Sequence, residues 1–83
     1  MTNKILIHVN KRFHIPLDNI ICIKQRKRGI YVQFVDNKSK MTLYAIYKGE
    51  LSNLLTIINT ALLMRGDKPL LLIKEQTYCK SFK

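Results

Sequence analysis

The sequence predicts a small α+β domain, built from an antiparallel β meander of four to five strands, one amphipathic helix and a C-terminal strand or tail. Two observations predict this class. Several short runs in the first half of the chain are rich in β-branched residues or alternate apolar and polar positions, as half-buried strands do. After residue 50 the apolar period changes to that of a helix. With 83 residues, the chain is expected to form a single domain over residues 1–83.

Polar turn signals separate the predicted strands. Pro16 with Asp18-Asn19 marks one turn, Gly29 closes a basic turn over 25–29, and Asp36-Asn37-Lys38 is typical of a hairpin. The stretch from 20 to 46 is therefore predicted to be a three-stranded antiparallel meander.

The predicted helix spans about 50–65. Its apolar positions follow helical spacing and are Leu51, Leu54, Leu55, Ile58 and Leu62. Gly49 is a tolerable N-cap, Gly66 is expected just past the C-terminal end, and Pro69 prevents continuation. Residues 70–74 and 76–78 then predict a last strand or an extended tail.

The charge balance is strongly positive. Fifteen Lys and Arg against five Asp and Glu give a formal net charge of +10. Such an excess raises the affinity and association rate for anionic partners. We therefore expect a nucleic-acid partner and favour DNA over RNA. The alternative is that the charge maintains solubility or faces acidic parts of an assembly.

Strand order concentrates these charges. In an up-and-down meander the turns at 10–12, 25–29 and 47–49 share one end of the sheet. Guanidinium and ammonium groups contact phosphate oxygens well. The predicted nucleic-acid-binding residues are Lys11, Arg12, Lys24, Arg26, Lys27, Arg28, Lys48, Tyr31 and Tyr44.

The two tyrosines in this set are expected on one sheet face. If the hairpin pairs about residues 37–38, Tyr31 and Tyr44 point to the same side and could stack on bases. The alternative is that they cover a half-exposed face or contact the helix.

The helix also carries apolar residues outside its main stripe. We interpret these as an interface for a homodimer or a protein partner; they are Ile57, Ala61, Leu63 and Met64. The alternative is a helix buried between the sheet and residues 70–74.

The sequence predicts no enzyme, no cofactor and no small-molecule substrate. The acidic residues are scattered and no glycine-rich phosphate loop is present. Cys22, Cys79, His8 and His14 lack metal-ligand spacing, so no metal site is expected.

Location follows from similar reasoning. Two cysteines are fewer than a disulfide-stapled secreted domain carries. Neither a signal peptide nor an apolar stretch long enough to span a membrane is found in the sequence. We therefore expect no membrane partner and a cytoplasmic location, or the host cytoplasm if the source is a phage.

Residues 5–55 resemble the first half of the LytTR family of bacterial DNA-binding domains. The resemblance lies in HIPLDNIICIKQRKRGIYVQF, followed by KMTLYAIYKGELSNLL. It implies a β-rich domain that contacts DNA mainly through loops. The family's second half carries a Phe-x-Arg-x-His-x-Ser-Tyr-x-Val-Asn signature, which is missing from RGDKPLLLIKEQTYCKSFK. The base-contacting residues of that half therefore cannot be transferred. A single-strand-binding coactivator-like fold or a pleckstrin-like β-roll also matches the order of elements.

The resulting hypothesis is a small basic nucleic-acid-binding module that acts as a DNA-binding regulator. The alternative is a protein-interaction module of phage or mobile-element type, which docks on a partner through its basic end or its helix face.

Overall fold

The computed structural model describes residues 5–80 and confirms the α+β class. One helix packs with two antiparallel sheets, of two and five strands. The elements in chain order are β1 (Leu6–His8), β2 (His14–Pro16), a 3-10 helix (Leu17–Asn19), β3 (Ile20–Arg26), β4 (Gly29–Val35), β5 (Thr42–Tyr47), α1 (Leu51–Met64), β6 (Leu71–Lys74) and β7 (Thr77–Cys79).

The larger sheet has the strand order β5-β4-β3-β7-β6. Strands β3, β4 and β5 are consecutive antiparallel neighbours, so the predicted meander over 20–46 is confirmed. Strand β7 pairs with the other side of β3, and β6 pairs with β7. The C-terminal segment is therefore a hairpin that extends the sheet.

The N-terminal strands do not belong to this sheet, contrary to the simple meander order predicted from the sequence. Strands β1 and β2 pair only with each other. The free side of β3 is taken by β7, and the two N-terminal strands are only three residues long. Pro16, at the end of β2, also has no N–H to donate to a ladder.

One face of the five-stranded sheet carries the core. Helix α1 contributes Leu54, Ile58 and Leu62, all buried. The β1–β2 hairpin belongs to the same core, and the ring of Phe13 meets that of Phe34 edge-on, with centroids 5.6 Å apart. The remaining buried residues that form this cluster are Ile7, Val9, Ile15, Leu17, Ile20, Ile23, Ile30, Val32, Ala45 and Leu70. We call the opposite face the open face, because α1 packs on the other side; Cys22, Thr77 and Cys79 are nevertheless buried there, whereas Tyr31 is half-buried and Tyr44 is exposed.

The helix ends match the predicted range to within a residue. Its C-terminus forms a Schellman motif, because the N–H of Gly66 donates to the carbonyl of Leu63 and that of Asp67 to the carbonyl of Leu62. Gly66 has φ +84°, as predicted for the residue past the end. The N-cap is Glu50 rather than Gly49. No helix within residues 5–80 is long and apolar enough to cross a membrane.

A disulfide joins the two halves of the large sheet. Cys22 of β3 lies directly opposite Cys79 of β7, with Cα atoms 4.1 Å apart, and their sulfur atoms are bonded. The sequence did not predict this bond, because 57 positions separate the two residues. Pairing of the C-terminal hairpin with β3 is what brings them together.

We expect Gly66→Ala to lower the free energy of unfolding by about 1–2 kcal/mol, the cost of a left-handed backbone for an L-residue. An added Cβ there meets no atom within 4 Å, so the loss arises from the backbone alone. Urea unfolding measures it, and Gly66→Asn should lose less. An alanine variant as stable as the original chain would contradict the motif.

Reduction of the Cys22–Cys79 bond should lower the free energy of unfolding by about 2–4 kcal/mol, because it frees a long loop in the unfolded chain. Urea unfolding with and without dithiothreitol measures the difference. The Cys22→Ala, Cys79→Ala double variant is the control, and its stability should not respond to the reductant. An equal response of both proteins would rule out this explanation.

Candidate nucleic-acid interface

Two basic turns meet at one end of the large sheet. Strand pairing sets Arg26 opposite Gly29 and Ile30 opposite Tyr47. The β3–β4 turn therefore lies beside the segment that leaves β5. Residues from both sides line one shallow depression, with Arg26, Lys27 and Arg28 on one side and Lys48 on the other. This confirms that the turns at 25–29 and 47–49 share one end.

The third basic turn reaches the same end through a side chain rather than through strand order. The Nδ2 of Asn10 donates to the carbonyl of Ile46 at 2.7 Å. The Oδ1 of Asn10 accepts from the backbone N–H of Arg12 at 2.9 Å and of Phe13 at 3.0 Å. Asn10 thus shapes the β1–β2 turn and fastens it to the edge strand β5. Lys11 and Arg12 are held near the end of β5 as a result.

We call the resulting surface the basic end. Its members come from three turns, and all are exposed: Lys11, Arg12, Arg26, Lys27, Arg28 and Lys48. None of them forms an ion pair, since Arg65 provides the only ion pairs within residues 5–80. Two acidic residues also lie at this end: Glu50 directly follows the turn at 47–49, and Glu75 belongs to the β6–β7 turn, which a backbone hydrogen bond from Gln25 to Gln76 holds beside the end of β3. The positive end of the α1 dipole also begins here, just after Lys48.

The other three acidic residues lie at the opposite end of the molecule. Arg65 bridges Asp18 at 2.5 Å and Asp67 at 2.7 Å. Hydrogen bonds to these two carboxylates raise the pKa of the Arg65 guanidinium, with the larger effect from Asp67. Lys80 donates to the carbonyl of Leu17, and partial burial lowers the pKa of its ammonium group. Within residues 5–80, Arg65 is the cation of this end that forms ion pairs, whereas Lys38, Lys40 and Lys68 are exposed and form none.

The open face of the sheet adjoins the basic end. Lys24 lies opposite Tyr31 across β3 and β4, and Tyr44 lies opposite Gln33 across β4 and β5. The rings of Tyr31 and Tyr44 meet edge-on with centroids 6.5 Å apart, and the Nζ of Lys24 is 5.6 Å from the Tyr44 centroid. The shared sheet face predicted for the two tyrosines is therefore observed.

Arg26 links the two surfaces. Its guanidinium donates to the carbonyl of Gln25 at 2.8 Å and to the Oγ1 of Thr77 at 3.2 Å. Across the ladder, Arg26 faces Gly29, which has no side chain to cover it. We call the four residues that line this depression the tyrosine cluster: Lys24, Arg26, Tyr31 and Tyr44. All nine predicted nucleic-acid-binding residues thus lie on the basic end or in the tyrosine cluster.

Of the four helix residues predicted to form an interface, three are exposed and one is half-buried. Ile57, Leu63 and Met64 are exposed, and Met64 retains 82% of its accessible surface. Ala61 is half-buried and packs on the core, so it offers little surface to a partner.

Two features of the surface were not found from the sequence. One is the role of Asn10, although an Asx residue before Lys-Arg is a recognisable turn signal. The other is the edge strand β6, whose Leu71, Leu72 and Ile73 are all about half exposed. A continuous apolar run such as LLLI gave no indication that it would lie at the sheet edge.

No group of three or more His, Cys, Asp or Glu within residues 5–80 is arranged to hold a metal ion. His8 and His14 are cross-strand neighbours, with their Nδ1 atoms 3.3 Å apart, and they supply two ligands at most. Both cysteines are engaged in the disulfide.

The Asp36 turn, at the end opposite the basic end, predicts a pH effect. Hydrogen bonds from the backbone N–H and the hydroxyl of Ser39 lower the pKa of Asp36 below its ordinary value of 3.8. The folded state therefore favours the carboxylate, and this stabilisation is present above the ordinary pKa and lost as the pH falls through the folded pKa. The stability difference between the original chain and Asp36→Ala should shrink between neutral pH and about pH 2, as measured by thermal unfolding. A difference independent of pH would contradict this explanation.

Comparison with protein-family models, with curated proteins and with solved structures found no match to this chain. The interface is therefore described by its own geometry. Three turns place exposed cations at one end of the sheet, and two tyrosines lie on the open face beside them.

Proposed function

We propose that this protein binds nucleic acid through the basic end and acts as a small DNA-binding regulator. The observation that carries the proposal is the meeting of three sequence-distant turns, which brings six exposed cations together without a carboxylate partner among residues 5–80. Packing does not explain why these cations lie together, because side chains at turn tips bury few atoms. A phosphate backbone would supply the missing negative charge.

The chemistry of the side chains fits phosphate. The guanidinium groups of Arg12 and Arg28 can each donate two parallel hydrogen bonds to phosphate oxygens. Lys27 and Lys48 supply ammonium charges at the same end. If about five of these cations neutralise phosphates on a duplex, the logarithm of affinity falls with the logarithm of salt at a slope of about −4 to −5.

The preference for DNA has a separate support, the resemblance of residues 5–55 to the first half of LytTR domains. Loop contacts are what that resemblance implies, and five of the six residues of the basic end lie outside the strands. We place the activity in the cytoplasm. In a reducing cytoplasm Cys22 and Cys79 would be two free thiols that lie opposite each other, rather than a disulfide. Thiol labelling of intact cells can test this.

A protein-interaction function is the second candidate, and the β6 edge favours it. Strand β6 pairs on one side only, with β7, and exposes Leu71, Leu72 and Ile73. A partner strand could add to this edge through main-chain hydrogen bonds. The α1 residues Ile57, Leu63 and Met64 offer a further apolar surface for a partner or a second copy.

The first test compares two variants that lose the same number of positive charges. Lys27→Ala, Arg28→Ala, Lys48→Ala removes three cations of the basic end, and Lys38→Ala, Lys40→Ala, Lys68→Ala removes three from the rest of the surface. The first should weaken binding to a random-sequence DNA by about 10- to 100-fold and reduce the salt slope by about 2–3. The second should have a much smaller effect. Fluorescence anisotropy over a salt series measures both.

Equal losses of affinity in the two variants would show that binding depends on the overall positive charge and not on the basic end. An affinity that does not change between low and physiological salt would remove the proposal itself. In that case, binding of a protein partner that is lost when Leu72 is changed to Lys would support the second candidate.

A further inference from the structure

The tyrosine cluster has a geometry that phosphate binding alone does not explain. Its two aromatic rings lie on the open face of the sheet, and Tyr44 keeps 51% of its accessible surface. No strand of the five-stranded sheet contains an Asp or Glu, among the residues that the structure describes. The strands therefore contribute aromatic, apolar and positive groups to this face and no carboxylate, and the acidic residue nearest along the chain to β7 is Glu75 of the β6–β7 turn.

The strand register arranges these groups in two rows across the open face. One row runs through Thr77, Lys24, Tyr31 and Ile46, and the next through Cys79, Cys22, Gln33 and Tyr44. Each row thus carries one tyrosine, and the two rings are diagonal neighbours on β4 and β5. Arg26 and Lys24 line the same depression as the rings.

We propose that the ligand of this surface is single-stranded nucleic acid, with bases stacked on Tyr44 and Tyr31 and phosphates held by Lys24, Arg26 and the basic end. This inference rests on the proposed nucleic-acid function and names the form of the ligand. Aromatic rings on a sheet, bordered by cations, bind unpaired bases because every base has a flat π face. A duplex keeps those faces inside its own stack, so it would leave the tyrosines without a partner.

The position of Arg26 is consistent with a nucleic-acid strand that contacts both the basic end and the tyrosine cluster. Hydrogen bonds to Thr77 and Gln25 hold its guanidinium between the open face and the β3–β4 turn. A backbone that passes over Arg26 can present phosphates to Lys27 and Arg28 on one side and a base to Tyr31 or Tyr44 on the other. The basic end and the tyrosine cluster then form one continuous binding surface.

The experiment compares a labelled oligothymidylate of about 12 nucleotides with a duplex of the same length, a site size within the range known for small single-strand binders. The original chain should bind the oligothymidylate more tightly. Tyr44→Leu should weaken that binding by about tenfold, which corresponds to the loss of one stacked base, and should leave duplex binding and the salt slope unchanged. Tyr44→Phe, which keeps the ring, is the matched control and should bind within about twofold of the original chain.

Tyrosine emission provides an independent readout, because the chain contains four Tyr and no Trp. Stacking on Tyr44 and Tyr31 should quench part of this emission when the oligothymidylate is added. The quenching should decrease in Tyr44→Leu, and circular dichroism checks that the variant is folded.

The outcomes separate the two proposals. Equal or tighter binding of the duplex, or an unchanged oligothymidylate affinity in Tyr44→Leu, would overturn the single-strand inference and leave nucleic-acid binding intact. If neither probe binds in a salt-dependent way, the proposed function fails together with it. If the oligothymidylate does bind, a uridylate oligonucleotide of the same length distinguishes a DNA from an RNA preference.

Discussion

The pairing of β4 with both β3 and β5 is the constraint on which the candidate interface depends. Its register sets Arg26 opposite Gly29 and Ile30 opposite Tyr47, so the exits of two strands and the entry of a third lie at one end. The same register turns Tyr31 toward the open face while Ile30, Val32 and Phe34 face the core. A slip of one residue would exchange these two sets, exposing the core residues and burying the tyrosine. Burial of the β4 core residues therefore also positions the surface residues.

The charge distribution works against folding and has to be offset elsewhere. Six like charges at one end repel each other, and salt screens this repulsion only beyond about 8–10 Å. The core between the sheet, α1 and the β1–β2 hairpin provides most of the compensating stability. When the Cys22–Cys79 bond is formed, it adds to this stability by tying the C-terminal hairpin to the central strand. At the opposite end, Arg65 forms ion pairs with Asp18 and Asp67. A bound polyanion would offset the repulsion among the six cations of the basic end.

Local pattern was sufficient for the parts of the fold that depend on neighbours in sequence. The meander over 20–46, the helix with Gly66 at its end, and the common face of Tyr31 and Tyr44 all follow from period, turn chemistry and hairpin symmetry. Long-range pairing could not be predicted in this way. Nothing local indicates that β7 takes the free side of β3 and so separates the N-terminal hairpin from the sheet. The placement of Lys11 and Arg12 was expected from meander order, but the hydrogen bond from Asn10 to Ile46 is what fastens their turn there. Predictions that rest on the residues of a single turn were therefore confirmed. Predictions that rest on the order of all the strands were confirmed only in part.

The most direct measurement of the central claim is an amide chemical-shift titration of the isotopically labelled protein with an oligothymidylate. We expect the perturbed amides to cluster in the turns at 10–12, 25–29 and 47–49 and on the open face around Tyr31 and Tyr44. The amides near Asp36, and those of the last turn of α1, should not shift. Perturbations spread equally over both ends of the molecule, or confined to α1 and β6, would contradict the claim that strand pairing builds a nucleic-acid interface here.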